Sequence, residues 1–95
     1  MDLQDYRDRI DEVDTRLVEL FQQRMSLSRQ VADYKLEHGM EVLQPERERA
    51  LLDRLSAMAE PDMAEYVRAL YTEIMRLSRQ EQQKRIEHAK KEGKA

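Results

Sequence analysis

Between Leu3 and Tyr34 the chain places Leu3, Tyr6, Ile10, Val13, Leu17, Leu20, Arg24, Leu27, Val31 and Tyr34 in alternating steps of three and four. Such spacing writes a narrow apolar seam along one long amphipathic helix. Arg24 breaks the seam: a guanidinium keeps its charge, so a buried one needs partners. A seam arginine can be a specificity device or can snorkel to the edge. It can also belong to a site.

The length of this helix constrains the fold more than its composition does. A helix of roughly 33 residues is about 50 Å long, whereas a compact chain of 95 residues has a radius of gyration near ~13 Å. Two shorter helices cannot wrap such a rod into a ball. A second chain covering the seam is the cheaper solution. The expectation is all-α: a three-helix chain forming an intertwined helical-bundle homodimer.

Composition agrees with helix nearly throughout, since glycine and proline number two each. Charged residues make up 39 % with a formal net charge of −3, and the two signs are interspersed. No basic stripe or aromatic platform suits nucleic acid. The absence of cysteine removes disulfides and thiolate ligands and fits a reducing compartment. No apolar run reaches the ~20 residues of a membrane span, and no signal-peptide core opens the chain. A cytoplasmic setting without nucleic-acid or membrane partners is expected.

The expected helices cover about 3–37, 45–59 and 62–89 of a single domain, 1–90, with 91–95 a frayed tail. Asp2 or Asp5 supplies an acid at the first N-terminus, and His38-Gly39 stops the helix. Arg7, Asp14, Phe21, Ser28 and Lys35 recur every seven residues along one edge of the seam. Met40 to Gln44 reads as a loop with an extended Val42-Leu43 pair, and Pro45 opens the second helix. Its apolar face carries Leu51, Leu52, Leu55, Met58 and Ala59. Glu48 lies beside that face, with Arg47 at its edge; read alone, Glu48 complements the helix dipole and pairs with Arg47 or Lys35. Pro61 marks a turn or the first position of the third helix. That helix has a stripe of Met63, Val67, Leu70, Ile74 and Leu77, flanked by Tyr66, Tyr71 and Met75. Ser78 and Gln82 continue the stripe with polar groups before Ile86 restores it, which suggests a lined pocket. Read alone, these two are ordinary surface residues on a fraying helix.

The polar groups out of place are therefore Arg24, Arg7, Lys35, Arg47, Glu48, Ser78 and Gln82. Cations with one carboxylate and two neutral hydrogen-bonding groups suit a small dianion bearing a hydroxyl, because arginine forks match carboxylates. Arg24 and Lys35 are 11 residues apart, about 17 Å along the axis and nearly in phase. Arg7 lies 17 residues before Arg24, about 25 Å away, and reaches the same ligand only across a dimer with antiparallel long helices. No metal-ligand spacing, carboxylate pair, phosphate loop or nicotinamide or flavin fingerprint appears. An enzyme built from this set would work by positioning and by electrostatic complementarity to developing charge.

The chain resembles the all-helical chorismate mutases, small intertwined dimers of the shikimate pathway. The resemblance extends from Tyr6 to Gln82. Its pieces are YRDRIDEVDTRLVELFQQRMSLSRQVADYK, PERERALLDRL and LYTEIMRLSRQEQ, within which I-D-x-x-D, R-x(6)-V-A-x-x-K, the R-E pair and S-x-x-x-Q are strong in this order and spacing. The resemblance implies cofactor-free Claisen rearrangement of chorismate to prephenate in aromatic amino-acid biosynthesis, by a homodimer with shared active sites. It implies that Arg24 binds one substrate carboxylate and that Arg7 binds a carboxylate from the other subunit. By the same resemblance Lys35 and Gln82 hydrogen-bond the ether oxygen. Glu48 accepts the ring hydroxyl, Arg47 neighbours it at the pocket, and Ser78 contacts the region of a carboxylate. Many members carry aspartate where this chain has Gln44, just before the proline, which leaves Glu48 the main anionic partner. Such chains also occur fused to, or in complex with, another shikimate-pathway enzyme. Two other readings stay open: an isochorismate-pyruvate lyase of the same fold, and a non-catalytic helical dimerisation or regulatory module.

Overall fold

The computed structural model describes residues 1–93. These form three helices, α1 (Leu3–Glu37), α2 (Pro45–Met58) and α3 (Ala64–Lys91). Asp2 caps α1 with a reciprocal capping box: its side chain accepts from the Asp5 N–H while the Asp5 carboxylate accepts from the Asp2 N–H, each at 2.9 Å. Both acids named in the sequence reading thus share one cap. At the other end Gly39, at φ +62°, lets the Met40 N–H bond back to the Lys35 carbonyl at 2.8 Å and the Gly39 N–H to that of Leu36 at 3.4 Å. This is a Schellman turn, and it folds residues 40–44 back beside the last turn of α1.

The Val42-Leu43 pair lies in an irregular segment and forms no strand. Pro45 opens α2 at its first turn. Pro61 sits in a turn closed by the Met63 N–H on the Glu60 carbonyl at 2.8 Å, so α3 starts at Ala64 rather than at 62. α3 also runs two residues past the expected 89, because Ile86 is buried in the last turns and ties them down. Lys91 is helical, and the end of the expected 91–95 tail, residues 94–95, lies outside the described residues.

α3 is the central element: α1 and α2 each pack on it and not on one another. The α1–α3 crossing is built on small residues. Ala32 is fully buried, and the Ser28 and Ser78 hydroxyls meet at 2.6 Å; only short side chains let two helix axes come so near. The exposed pairs Arg29–Glu81 and Asp33–Arg85 bracket this crossing, adding orientation more than stability. Arg68 joins α3 to Asp53 and Ser56 of α2.

The faces buried within the chain are not the ones that carry the strongest apolar pattern. α1 buries Ser28, Ala32 and Lys35, which belong to the edge of the seam. The apolar seam itself stays 44–62 % exposed from Leu3 to Tyr34. α3 likewise buries Met75, Ser78, Gln82 and Ile86, while Met63 and Leu70 of the expected stripe, and the flanking Tyr66, are exposed. The chain is a 57 × 27 × 14 Å slab with a radius of gyration of 16.9 Å, well above the ~13 Å of a compact domain this size.

Candidate active site

Where the C-terminal third of α1 crosses α3 and the start of α2 closes one side, the helices form a half-open cavity of about 330 Å³. That volume lies within the range of small-molecule sites. Lys35 is delivered by the last turn of α1 and is 9 % exposed. Its ammonium donates to the Val42 carbonyl at 2.7 Å and to Gln82 Oε1 at 2.9 Å. The Schellman turn supplies the first of these acceptors, by returning the loop over the lysine. An ammonium has three donors, so one remains for a ligand. Burial pushes the Lys35 pKa below 10.5, and the field of Glu48 partly opposes that shift.

Gln82, 6 % exposed, is held at both ends of its amide. Oε1 accepts from Lys35, and Nε2 donates to Ser78 Oγ at 3.3 Å. Ser78 in turn meets Ser28, so a continuous buried chain runs from Ser28 through Ser78 and Gln82 to Lys35. No buried side-chain nitrogen or oxygen among the described residues lacks a partner. Polar groups this thoroughly satisfied are rigid, and rigid donors are preorganised.

Arg24 also lines the cavity. Its guanidinium carbon stands 5.9 Å from the centroid of the Tyr71 ring, a cation–π contact that steadies the fork. From the start of α2, Gln44, Arg47 and Glu48 complete the wall. Gln44 turns its amide nitrogen back to the Glu41 carbonyl at 2.8 Å, which leaves its oxygen and its second N–H available to a ligand. Glu48 pairs with Arg79 of α3, not with Arg47 or Lys35 as its neighbourhood in the sequence had suggested. Arg7 does not line this cavity. It lies near the opposite end of α1, in the part of the helix that packs on nothing in its own chain.

Among the polar lining residues the sequence reading missed two, Arg79 and Ser28. Ser28 had a signal, falling seven residues before Lys35 on the same edge. Arg79 had a weaker one, three residues before Gln82 and hence on an adjoining face. With Arg79 counted, Arg24, Lys35, Arg47 and Arg79 face a single carboxylate, Glu48, within one cavity. Among the described residues no cluster of His, Cys, Asp or Glu could hold a metal ion, and no helix is long and apolar enough to cross a membrane.

Fold and cavity together define a class: an all-helical protein with a cation-rich, largely preformed cavity. The chain belongs to the family described as chorismate mutase type II, whose pattern matches residues 6–83. It is 37 % identical over 78 residues to the T-protein of Haemophilus influenzae, covering 80 % of this chain and 21 % of that protein. It is 38 % identical over 53 residues to the chorismate mutase of Methanocaldococcus jannaschii, covering 56 % of this chain and 54 % of that one. The matched region thus spans about a fifth of one relative and about half of the other. No solved structure matches the chain with comparable significance.

Proposed function

We propose that the chain catalyses the rearrangement of chorismate to prephenate, without a cofactor, as a homodimer with two shared active sites. One observation carries this reading: Lys35 and Gln82 stand side by side, 2.9 Å apart, in a cavity whose other charged lining residues are three arginines and one carboxylate, set among apolar side chains such as Leu51 and Met75. In a Claisen rearrangement the ether C–O bond breaks as a C–C bond forms within one molecule, with no nucleophile and no proton transfer. Negative charge collects on the ether oxygen. Donors aimed at that atom stabilise the transition state more than the substrate, and do so strongly in a site that excludes water.

In this reading the free Lys35 N–H and the Gln82 amide N–H converge on the ether oxygen, the second being steadied by Ser78. Arg24 and Arg47 receive the substrate carboxylates, and Glu48 accepts the ring hydroxyl, with the Gln44 oxygen nearby. The dimer supplies Arg7. The support for a dimer is the uncovered seam, since apolar patches of this extent mark interfaces. An antiparallel partner laid along α1 would cover Leu3 to Tyr34 and bring its own Arg7 toward the open side of the cavity. A cytosolic setting goes with this reading.

The test is to follow the loss of chorismate absorbance with purified protein, identify the product, and repeat with Arg24→Ala. Prephenate from the wild type and none from the variant is the expected result. Pyruvate release would reassign the chain to lyase chemistry, and no conversion would leave a non-catalytic module. A monomer by sedimentation at micromolar concentration would remove the shared-site arrangement.

A further inference from the structure

Glu48 is the single carboxylate lining the cavity, and it faces a problem its role creates. A dianionic ligand and a carboxylate repel one another in a partly desolvated site. Arg79 sits where that repulsion is relieved. It projects from α3, its Nη1 donates to Glu48 Oε1, and both side chains are partly buried, at 32 % and 23 % exposure. The contact spans α2 and α3, and it engages one carboxylate oxygen only, so Oε2 is left for a ligand.

Resting on the mutase reading of this cavity, we infer that Arg79 is a positioning residue that acts through Glu48, orienting its carboxylate and neutralising its field so that it can accept the substrate's ring hydroxyl. The ligand then meets a neutral ion pair with a directed acceptor instead of a free negative charge. This makes Arg79 a determinant of selectivity for the hydroxyl-bearing substrate, without itself touching it. Gln44 sharpens the requirement. Its amide is neutral and one of its N–H groups is committed to the Glu41 carbonyl, so Glu48 alone supplies a charged acceptor, and its direction matters correspondingly more.

The experiment compares chorismate with the analogue whose ring hydroxyl is replaced by hydrogen, across wild type, Arg79→Met, Arg79→Lys, Glu48→Gln and the double variant Glu48→Gln/Arg79→Met. Arg79→Met should lower kcat/KM for chorismate by about tenfold to a hundredfold, the range for a lost hydrogen bond to a charged group, and lower it clearly less for the deoxy analogue, a dianion that still meets the unneutralised Glu48 but makes no such bond. Arg79→Lys should recover part of the loss, since it restores charge without the fork. Within the Glu48→Gln background, Arg79→Met should add nothing. Equal losses on both substrates would show Arg79 gripping the carboxylates itself and overturn the inference. A further loss in the Glu48→Gln background, or no loss at all, would do the same. The ratio of the two substrates within one preparation does not depend on the folded fraction, so a destabilised variant still decides the matter. A wild type that converts neither substrate defeats the mutase reading, whereas a wild type that converts both with no variant changing their ratio defeats this inference alone.

Discussion

Replacing Lys35 by methionine removes a charge from the most buried cationic position among the described residues while keeping much of the length of the side chain. In the proposed reaction it deletes a donor aimed at the atom where charge develops. Losing one such donor costs about 10²–10³ in kcat, or ~2.7–4 kcal/mol. The folding side has opposing contributions. Two hydrogen bonds, 2.7 and 2.9 Å long, disappear, each worth about 1.5–3 kcal/mol when one partner is charged. Against that, an ammonium only 9 % exposed no longer has to be desolvated, a relief of several kcal/mol. The two nearly cancel, so stability at pH 7 should change by no more than ~1–2 kcal/mol, roughly 4–16 °C in Tm for a domain this size, while turnover collapses. Dependence on pH separates the two contributions. Burial holds the folded Lys35 pKa below 10.5, so between that lowered value and 10.5 the unfolded chain binds more protons than the folded one. Wild-type stability therefore rises with pH across this window, and the methionine variant lacks that contribution. Wild-type activity moves the opposite way, because the donor is lost as the ammonium deprotonates. Thermal melts and kcat measured from pH 7 to 11 read both. A Lys35→Met enzyme with normal kcat and a raised KM would refute the assignment, as would wild-type activity undiminished beyond pH 10.5.

Three other perturbations address separate parts of the structure. Arg7→Ala and Arg24→Ala should each be inactive alone, yet an equal mixture, re-equilibrated, should regain about a quarter of the wild-type activity, because half the dimers are mixed and each of those has one intact site; no recovery would mean that Arg7 does not act across the interface. Ala32→Leu would force the α1–α3 crossing apart and cost about 1–3 kcal/mol, seen as a lower Tm, with activity falling as the Lys35–Gln82 contact opens; an unchanged Tm would show that the helices are not closely packed there. Gln44→Asp should raise kcat/KM by about fivefold, the difference between a neutral and a charged acceptor for one hydroxyl, and a decrease would place that side chain away from the hydroxyl.

The helix boundaries were legible because they rest on local chemistry: an aspartate cap, the glycine after His38, and prolines at two starts and turns. The polar set was legible because arginine, serine and glutamine stood where apolar residues were due, and the cavity gathers Arg24, Lys35, Gln44, Arg47, Glu48, Ser78 and Gln82. Periodicity could not say which of two adjacent apolar faces turns inward. The seam with the strongest pattern, Leu3 to Tyr34, is the one left uncovered, whereas the face the chain buries contains Ser28, Ala32 and Lys35, which no hydrophobicity argument selects. Small residues mark close helix contact, and their signal is weak because they are also ordinary surface residues. The Glu48–Arg79 pair was out of reach for a different reason. Its members are 31 residues apart, and their meeting depends on how α2 is laid against α3.

In the proposed dimer, the uncovered N-terminal half of α1 would tie activity to mass action. Leu3 to Leu20 rest on nothing within the chain, so an isolated copy holds that segment in place with helix propensity and one capping box. Most helical stability in proteins comes from tertiary packing of an amphipathic face rather than from propensity. Pairing would then order the segment, cover the seam and complete the cavity in one step, making folding, assembly and catalytic competence a single equilibrium with protein concentration as its variable. Specific activity should fall on dilution along the same curve as helicity, and the melting temperature should rise with concentration. For such a chain the amount expressed in a cell sets the fraction that is an enzyme at all.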